Sequence, residues 1–172
     1  GRIIIGTFAS MVSRVKMIMS LAEKYNRKVC LIGRSMHMYA DVATELGYIK
    51  NASKILVTPE EANKLPDGRV VLLGTGAQAQ RNAFLMRLAM GEHREFTLKR
   101  GDTILFSSSV IPGNERTIQG LKDTFWRKGA RVIHNNMMDV HAGGHCKQDD
   151  LKYFYDYIKP ENFVKTLDDI YP

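Results

Sequence analysis

The chain has 172 residues, 44% of them hydrophobic and 25% charged, with 25 Lys or Arg against 18 Asp or Glu and a formal net charge of +7. Its length suits one domain with a buried core, and its composition excludes a disordered or collagen-like chain. No run approaches the ~18 apolar residues of a membrane span. The sequence shows no basic segment followed by an apolar one at its start, so secretion is not indicated. The basic charge favours an anionic partner, of which nucleic acid is the commonest.

The cysteines indicate the redox compartment, and the first residues bear on whether the chain is part of a longer protein. Two cysteines are too few for a disulfide framework, and Cys30 lies in the apolar run KVCLIG. We therefore expect a buried thiol and a reducing, cytoplasmic setting. The chain opens GRIII without an initiator methionine, so we expect a piece of a longer protein.

Short apolar runs alternate with helical patterns along the first part of the chain. Residues 2–7 (RIIIGT) and Lys28–Ile32 (KVCLI) are predicted strands, and residues 54–57 a third, short one. Helices are predicted after each of the first two strands, with Ser10 and Ser35 as their N-caps.

The element signals continue with a helix start and three more strands. TPEE at residues 58–61 predicts a capping box with Pro59 at the first helical position. Strands are predicted at residues 69–73 (RVVLL), Thr103–Phe106 (TILF) and residues 130–133 (ARVI). Apolar faces predict three more helices, which carry Phe84, Leu85 and Leu88; Ile118, Leu121 and Phe125; and Leu151, Phe154, Tyr155 and Ile158.

This alternation of strands and helices predicts an α/β fold. We expect a Rossmann-like, three-layer α/β/α sandwich with a mostly parallel sheet, because serial strand–helix units form parallel sheets with helices on both faces. Ligands of such sheets bind beyond the carboxyl ends of the strands. Three polar loops follow predicted strands, at residues 74–80, 107–115 and 140–150, and we expect them along one edge.

The first polar loop, GTGAQAQ, has two interpretations. It contains G-x-G without the rest of the dinucleotide fingerprint, and no acidic residue stands suitably after a following strand. A glycine turn between strand and helix is the interpretation we favour.

The second polar loop, SSSVIPGNE, has two interpretations of equal weight. Ser107, Ser108 and Ser109, with free N–H groups at a helix start near Asn114, are a candidate phosphate site. Alternatively, Asn114 caps the helix and the serines hydrogen-bond to the backbone.

The third polar loop, VHAGGHCKQDD, places His141 and His145 on either side of two glycines. Gly143 and Gly144 argue against a helix that would bring both imidazoles to one metal, and no further ligands follow at zinc-like spacing. His145, before the last helix, is a candidate for contacting a phosphate or donating a proton. The alternative is a histidine that only forms hydrogen bonds within its own loop and has no functional role.

Taken in order, these stretches resemble a known family. GTFASMVSRVKMI, KVCLIGRSM, LKRGDTILFSSSVIPGNE, GARVIH and VHAGGHCKQDDLKYFYDYIKPENF are similar to the β-CASP domain of ribonuclease J, a metallo-β-lactamase-fold RNA-processing nuclease family. The resemblance covers residues 1 to about 163. It implies a single β-CASP domain over residues 1–172 as part of a longer protein.

The resemblance also implies an activity and roles for residues. It implies zinc-dependent hydrolysis of single-stranded RNA, both 5′-to-3′ exonucleolytic and endonucleolytic, in a cleft facing a metallo-β-lactamase domain of the same longer chain. His145 would be the catalytic residue that the β-CASP domain contributes, and it would contact the scissile phosphate. His141, Gly143, Gly144, Ser107–Ser109 and Asn114 would surround substrate phosphate. The zinc ligands would lie outside this chain, so we expect no zinc in the chain alone; a homo-oligomeric full-length protein is left open.

The sequence departs from the family pattern at several places. The zinc-binding H-x-H-x-D-H motif and the later H-G-E motif are absent, GTGAQAQ replaces a T-G-S-Q-G-E-P-like loop, and Gly143 replaces a serine or threonine. The last two changes bear on the 5′-phosphate pocket. Two rival interpretations stay open: a non-catalytic module that holds RNA or a protein, and a nucleotide-binding domain that uses GTGAQAQ.

Overall fold

The computed structural model describes residues 1–135, 137 and 148–162. Contacts within the chain group into two compact units, Gly1–Ala142 and Gly143–Pro172. The single domain over residues 1–172 remains a prediction.

A five-stranded sheet forms the centre of the first unit. Its strands are β1 (Ile3–Gly6), β2 (Lys28–Ile32), β3 (Val70–Gly74), β4 (Thr103–Phe106) and β5 (Arg131–Ile133). They lie in the order β2-β3-β1-β4-β5, and every neighbouring pair is parallel. The predicted parallel sheet is confirmed, and its carboxyl ends define one edge.

Helices cover both faces of this sheet. They are α1 (Val12–Lys24), α2 (Arg34–Glu45), α3 (Ala52–Ile55), α4 (Pro59–Lys64), α5 (Phe84–Met90) and α6 (Glu115–Arg127). Alternate strand residues point to opposite faces, so Ile4 packs with α4, α5 and α6 whereas Ile5 packs with α1, α2 and α3. The predicted three-layer α/β/α arrangement is confirmed.

Helix starts agree with the sequence signals at one position and differ at two. Thr58 forms the predicted capping box, since its hydroxyl accepts from Glu61 N and the Glu61 carboxylate accepts from Thr58 N. The predicted Ser10 and Ser35 caps are wrong: Met11 and Gly33 occupy the N-cap positions, and neither helix has a side-chain cap. Each of these helices starts one or two residues away from the predicted N-cap. The path of the backbone as it leaves the preceding strand, and not a serine hydroxyl, fixes where the helix begins.

The strand predicted at residues 54–57 is also wrong. Residues 52–55 form the single turn α3, and Leu56 is extended and forms an isolated bridge with Val29 at the sheet's edge. Pro59, which has no N–H to donate to a ladder, begins α4 almost at once and prevents a longer strand.

A buried ion pair joins the residue before β1 to the residue before β4. Arg2 Nη2 lies 2.6 Å from Asp102 Oδ2, with the two side chains 4% and 1% exposed. Arg2 Nη2 also donates to the Thr97 carbonyl at 2.7 Å, and Lys99 N donates to Asp102 Oδ2 at 2.8 Å. These bonds satisfy both charges at the amino edge of the sheet.

The second unit contributes α7 (Gln148–Ile158), the helix predicted before Pro160. Within the described ranges, no helix has both the length and the apolar character needed to cross a bilayer.

Candidate functional site

Gln78 ties the loop after β3 to the loop after β4. Its side chain is 4% exposed, and its Nε2 donates to Ser108 Oγ at 3.2 Å and to the Ser109 carbonyl at 2.5 Å. Its Oε1 accepts from Ile111 N at 3.1 Å. One carboxamide thus satisfies a hydroxyl, a carbonyl and an N–H of the neighbouring loop, so the two loops form a single wall at the carboxyl edge.

The small residues around Gln78 allow this close approach. Gly76 has φ +110, and a Cβ built on it would lie 3.0 Å from Ala83 Cβ and 3.1 Å from Leu85 N. Ala79, on the other side of Gln78, has φ +57 in the left-handed region. The chain therefore reverses tightly and turns the Gln78 side chain inward.

The three predicted serines lie together after β4, but they differ in exposure. Ser107 is 4% exposed and Ser108 is 6% exposed, whereas Ser109 is exposed. The Ser107 carbonyl accepts from Arg14 Nη1 at 2.7 Å and from Thr7 Oγ1 at 3.3 Å. The loop after β1 and the first turn of α1 therefore also support the serines, and Ser109 is the most exposed of the three.

A pocket of about 310 Å³ opens beside these serines. We call it the serine pocket, and its polar walls are Ser108, Ser109, Glu115, Gln119, Lys122, His134 and Asn135. It brings the loops after β4 and β5 together with the first half of α6. This placement agrees with the rule that parallel sheets bind ligands beyond their carboxyl ends.

Burial shapes the charges in the serine pocket. Partial burial lowers the pKa of the Lys122 amine, whose Nζ lies 5.8 Å from the centre of the Phe106 ring. Burial, and secondarily the positive charge of Lys122, lowers the pKa of His134. A bound anion would favour the protonated form of both groups and so oppose the lowering of both pKa values, which makes this pair suited to an anionic ligand.

The start of α6 is less open to an anion than the sequence suggested. Asn114 is at the N-cap position, but its side chain makes no capping bond. The Glu115 carboxylate accepts from Gly113 N at 2.9 Å, so a negative charge already occupies this helix start. The cationic part of the serine pocket is therefore Lys122 rather than the N–H groups near Asn114.

The histidine loop lies outside the described residues. His141, Gly143, Gly144 and His145 all fall in it, so their assigned roles stay predictions. Among the residues that the structure describes, no group of three or more His, Cys, Asp or Glu side chains is placed to hold a metal ion. The described residues do not fit a zinc centre.

The GTGAQAQ loop does not have the geometry of a nucleotide-binding turn. Residues 75–83 separate β3 from α5, so the glycines do not open directly into a helix, as a dinucleotide fingerprint requires. A Cβ on Gly74 would lie 2.5 Å from Phe84 Cδ1. Packing against Phe84 and Ala83 thus accounts for both glycines, in line with the favoured interpretation.

Sequence reasoning missed Gln78, Lys122 and His134. His134 directly follows β5, so its place at the carboxyl edge was available from the strand prediction. Lys122 adjoins the buried Leu121 on α6, but nothing local indicates that it turns toward a pocket. Gln78 lies among small residues in a loop after a strand, and this position is the only sequence signal that could have indicated its role.

The sheet order and the pocket at its carboxyl edge define an α/β domain of the doubly wound class. Residues 1–125 match the family model described as the β-CASP domain of ribonuclease J. The chain is 41% identical over 164 residues to Ribonuclease J of Mycolicibacterium smegmatis, covering 95% of this chain and 29% of that protein. It is 41% identical to Ribonuclease J of Thermus thermophilus and 38% identical to that of Synechocystis sp., over 28% and 26% of their lengths and 95% of this chain each.

The chain belongs to the ribonuclease J β-CASP domain family. It spans only 26 to 29% of the length of these three relatives. The resemblance found in the sequence is therefore confirmed at the level of the family and the domain.

Proposed function

We propose that this chain is the RNA-holding part of a zinc-dependent ribonuclease that acts on single-stranded RNA. The proposed activity is both 5′-to-3′ exonucleolytic and endonucleolytic. The family assignment supports a ribonuclease, and the serine pocket is the observation that carries the RNA-holding role. The proposed setting is cytoplasmic, consistent with the buried, unpaired Cys30.

In this proposal the serine pocket binds a phosphate of the RNA. Ser109 is exposed at its rim, and the Lys122 ammonium supplies the positive charge. Gln78 acts as a positioning residue, because it fixes Ser108 and the Ser109 carbonyl without facing the ligand itself. Glu115 opposes the anion and limits the strength of binding.

The hydrolytic step belongs to residues beyond the described ones. As the family resemblance implies, the proposed zinc ligands lie in a metallo-β-lactamase domain of the longer protein. His145 and His141 are proposed to meet the scissile phosphate from the β-CASP side. The 172-residue chain alone should bind no stoichiometric zinc and cleave no RNA, which elemental analysis and a cleavage assay would check.

Two substitutions of opposite sign test the RNA-holding role. Lys122→Gln should weaken binding of single-stranded RNA about tenfold at low salt, because a hydrogen bond to a charged group is lost. Glu115→Gln should strengthen binding, because it removes the negative charge at the same pocket. Fluorescence anisotropy over a salt series should also show a salt slope smaller by about one for Lys122→Gln.

Lys24→Gln is the matched control, because it removes an equal charge from the exposed end of α1 at the opposite, amino edge of the sheet. Equal losses for Lys122→Gln and Lys24→Gln would show that binding follows net charge and not the serine pocket. No binding at low salt by the unaltered chain would contradict the proposed function.

A further inference from the structure

A second pocket, of about 230 Å³, lies at the same edge of the sheet. The loop after β1, the loop after β3 and the first half of α2 surround it. We call it the aromatic pocket, and the side chains that matter here are Phe8, Ser10, Ser35, Tyr39, Thr75 and Gln80. Ala77 lines both this pocket and the serine pocket, so the two adjoin.

The walls of the aromatic pocket differ in chemistry from those of the serine pocket. No Lys, Arg, Asp or Glu is among the described residues that line it. Two rings, Phe8 and Tyr39, stand with hydroxyl and amide side chains, and Phe8 is half-buried while Tyr39 is 37% exposed. The pocket therefore suits an uncharged group with a flat apolar face and polar edges.

Its polar side chains are available to a ligand. Within the described residues, Ser10, Ser35, Thr75 and Gln80 make no side-chain hydrogen bond, although all four line one cavity. Gln78, by contrast, uses its whole carboxamide to hold the neighbouring loop. Donors and acceptors without partners beside two aromatic rings match the edge and the face of a nucleobase.

We propose that the aromatic pocket is a nucleobase subsite, which accepts a base of the RNA whose phosphate lies in the serine pocket. The inference rests on the proposed function, because the adjoining serine pocket must hold phosphate for the two groups to belong to one ligand. A base carries no charge and presents a π-face, whereas a phosphate favours the pocket with Lys122. The chemistry thus assigns each part of a nucleotide to a different pocket.

The test compares RNA with a strand that lacks bases. Anisotropy is measured for a 3′-labelled oligouridylate and for an abasic oligomer of equal length and charge, at one low salt concentration. The unaltered chain should bind the oligouridylate more tightly. Tyr39→Ala should weaken oligouridylate binding about tenfold, within the range of base–aromatic stacking, and leave the abasic oligomer unchanged.

Two further variants make the result specific. Tyr39→Phe keeps the ring and should bind the oligouridylate nearly as well as the unaltered chain. Tyr25→Ala removes a tyrosine that is 68% exposed at the amino edge, far from both pockets, and should change neither affinity. Melting temperatures of all variants identify any loss that comes from unfolding.

Each outcome bears on one of the two proposals. Equal binding of the two oligomers by the unaltered chain, or equal weakening of both by Tyr39→Ala in a folded protein, would overturn the nucleobase subsite and leave the phosphate role of the serine pocket in place. Failure of both oligomers to bind would instead overturn the proposed function, and the subsite with it.

Discussion

The Gln78 side-chain amide donates a hydrogen bond to the hydroxyl of Ser108 at 3.2 Å, between residues thirty positions apart in the sequence. The same carboxamide also holds the Ser109 carbonyl and the Ile111 N–H. Both pockets at the carboxyl edge include residues next to Gln78. Its contacts therefore connect the stability of the domain with the shape of the candidate site.

Removing the Gln78 side chain should destabilise the protein. Gln78→Ala removes three hydrogen bonds that a buried carboxamide makes to buried or partly buried groups of the neighbouring loop, which costs about 1–3 kcal/mol in the free energy of unfolding. Urea denaturation would measure the loss. Gln80→Ala, two residues along and exposed, should stay within about 0.5 kcal/mol; equal losses for both variants would show that the hydrogen bonds of Gln78 do not hold the loops.

The Arg2–Asp102 pair should matter more to stability than any exposed pair. Asp102→Asn leaves the buried Arg2 guanidinium without its counter-charge, and breaking such a pair costs about 3–5 kcal/mol. The matched control is Lys99→Met, which breaks the exposed Lys99–Asp67 pair and should cost about 0–1 kcal/mol. Denaturation curves for both variants would contradict this account if Asp102→Asn were as stable as Lys99→Met.

The Cys30 thiol should be unreactive in the folded protein. Burial raises its pKa to about 12, with smaller contributions from Glu95 and Glu60. At pH 8 only about one thiol in 10⁴ is then ionised, and the thiolate is the reactive form. Peptide mapping after iodoacetamide treatment should find Cys30 modified in urea but not in buffer, and rapid labelling of the native protein would show that the thiol is accessible.

Lys122 should influence the protonation of His134. The cation next to it disfavours the imidazolium form, so Lys122→Gln should raise the pKa of His134. Burial is the larger cause, and it should keep that pKa below the ordinary histidine value even in the variant. An NMR titration of the imidazole would measure the shift, with Lys24→Gln as the control; an unchanged or lowered pKa in Lys122→Gln would mean that the two groups do not interact.

In the full-length protein, His145→Ala should cut RNA cleavage about 10²–10⁴-fold, the range for a group that contacts or protonates a reacting phosphate. Stability should change by no more than about 0.5 kcal/mol, since we expect a glycine-rich loop to present the side chain to a cleft. His141→Ala should affect substrate placement more than turnover. Single-turnover cleavage of a 5′-labelled RNA, with melting temperature on the same samples, would measure these effects.

The exposed His37 on α2 provides the control for the histidine variants, and His37→Ala should cleave at the unaltered rate. Full-rate cleavage by His145→Ala would contradict its assigned role. Unfolding of His145→Ala would instead show that the histidine has a structural role within its loop and not a catalytic one.

Part of the candidate site could be predicted from the sequence. Ser107, Ser108 and Ser109 follow a predicted strand, which places them at the carboxyl edge, and the structure finds them there. Lys122 could not be predicted, because its turn toward the serines depends on how α6 crosses the sheet. The expected phosphate site at Asn114 depended on free N–H groups, and the Glu115 carboxylate occupies one of them.

The sequence by itself determined the five strands of the sheet, their parallel arrangement and the burial of Cys30. Short β-branched runs and amphipathic helix faces are local signals, and together they favour one arrangement of layers. The sequence also determined the start of α4, where Thr58, Pro59 and Glu61 stand within one turn. Tertiary structure decided the starts of α1 and α2 and the meeting of Gln78 with Ser108. In each of these cases the deciding partner is distant in the sequence or is the backbone path itself, and local side-chain preferences are too weak to overrule it.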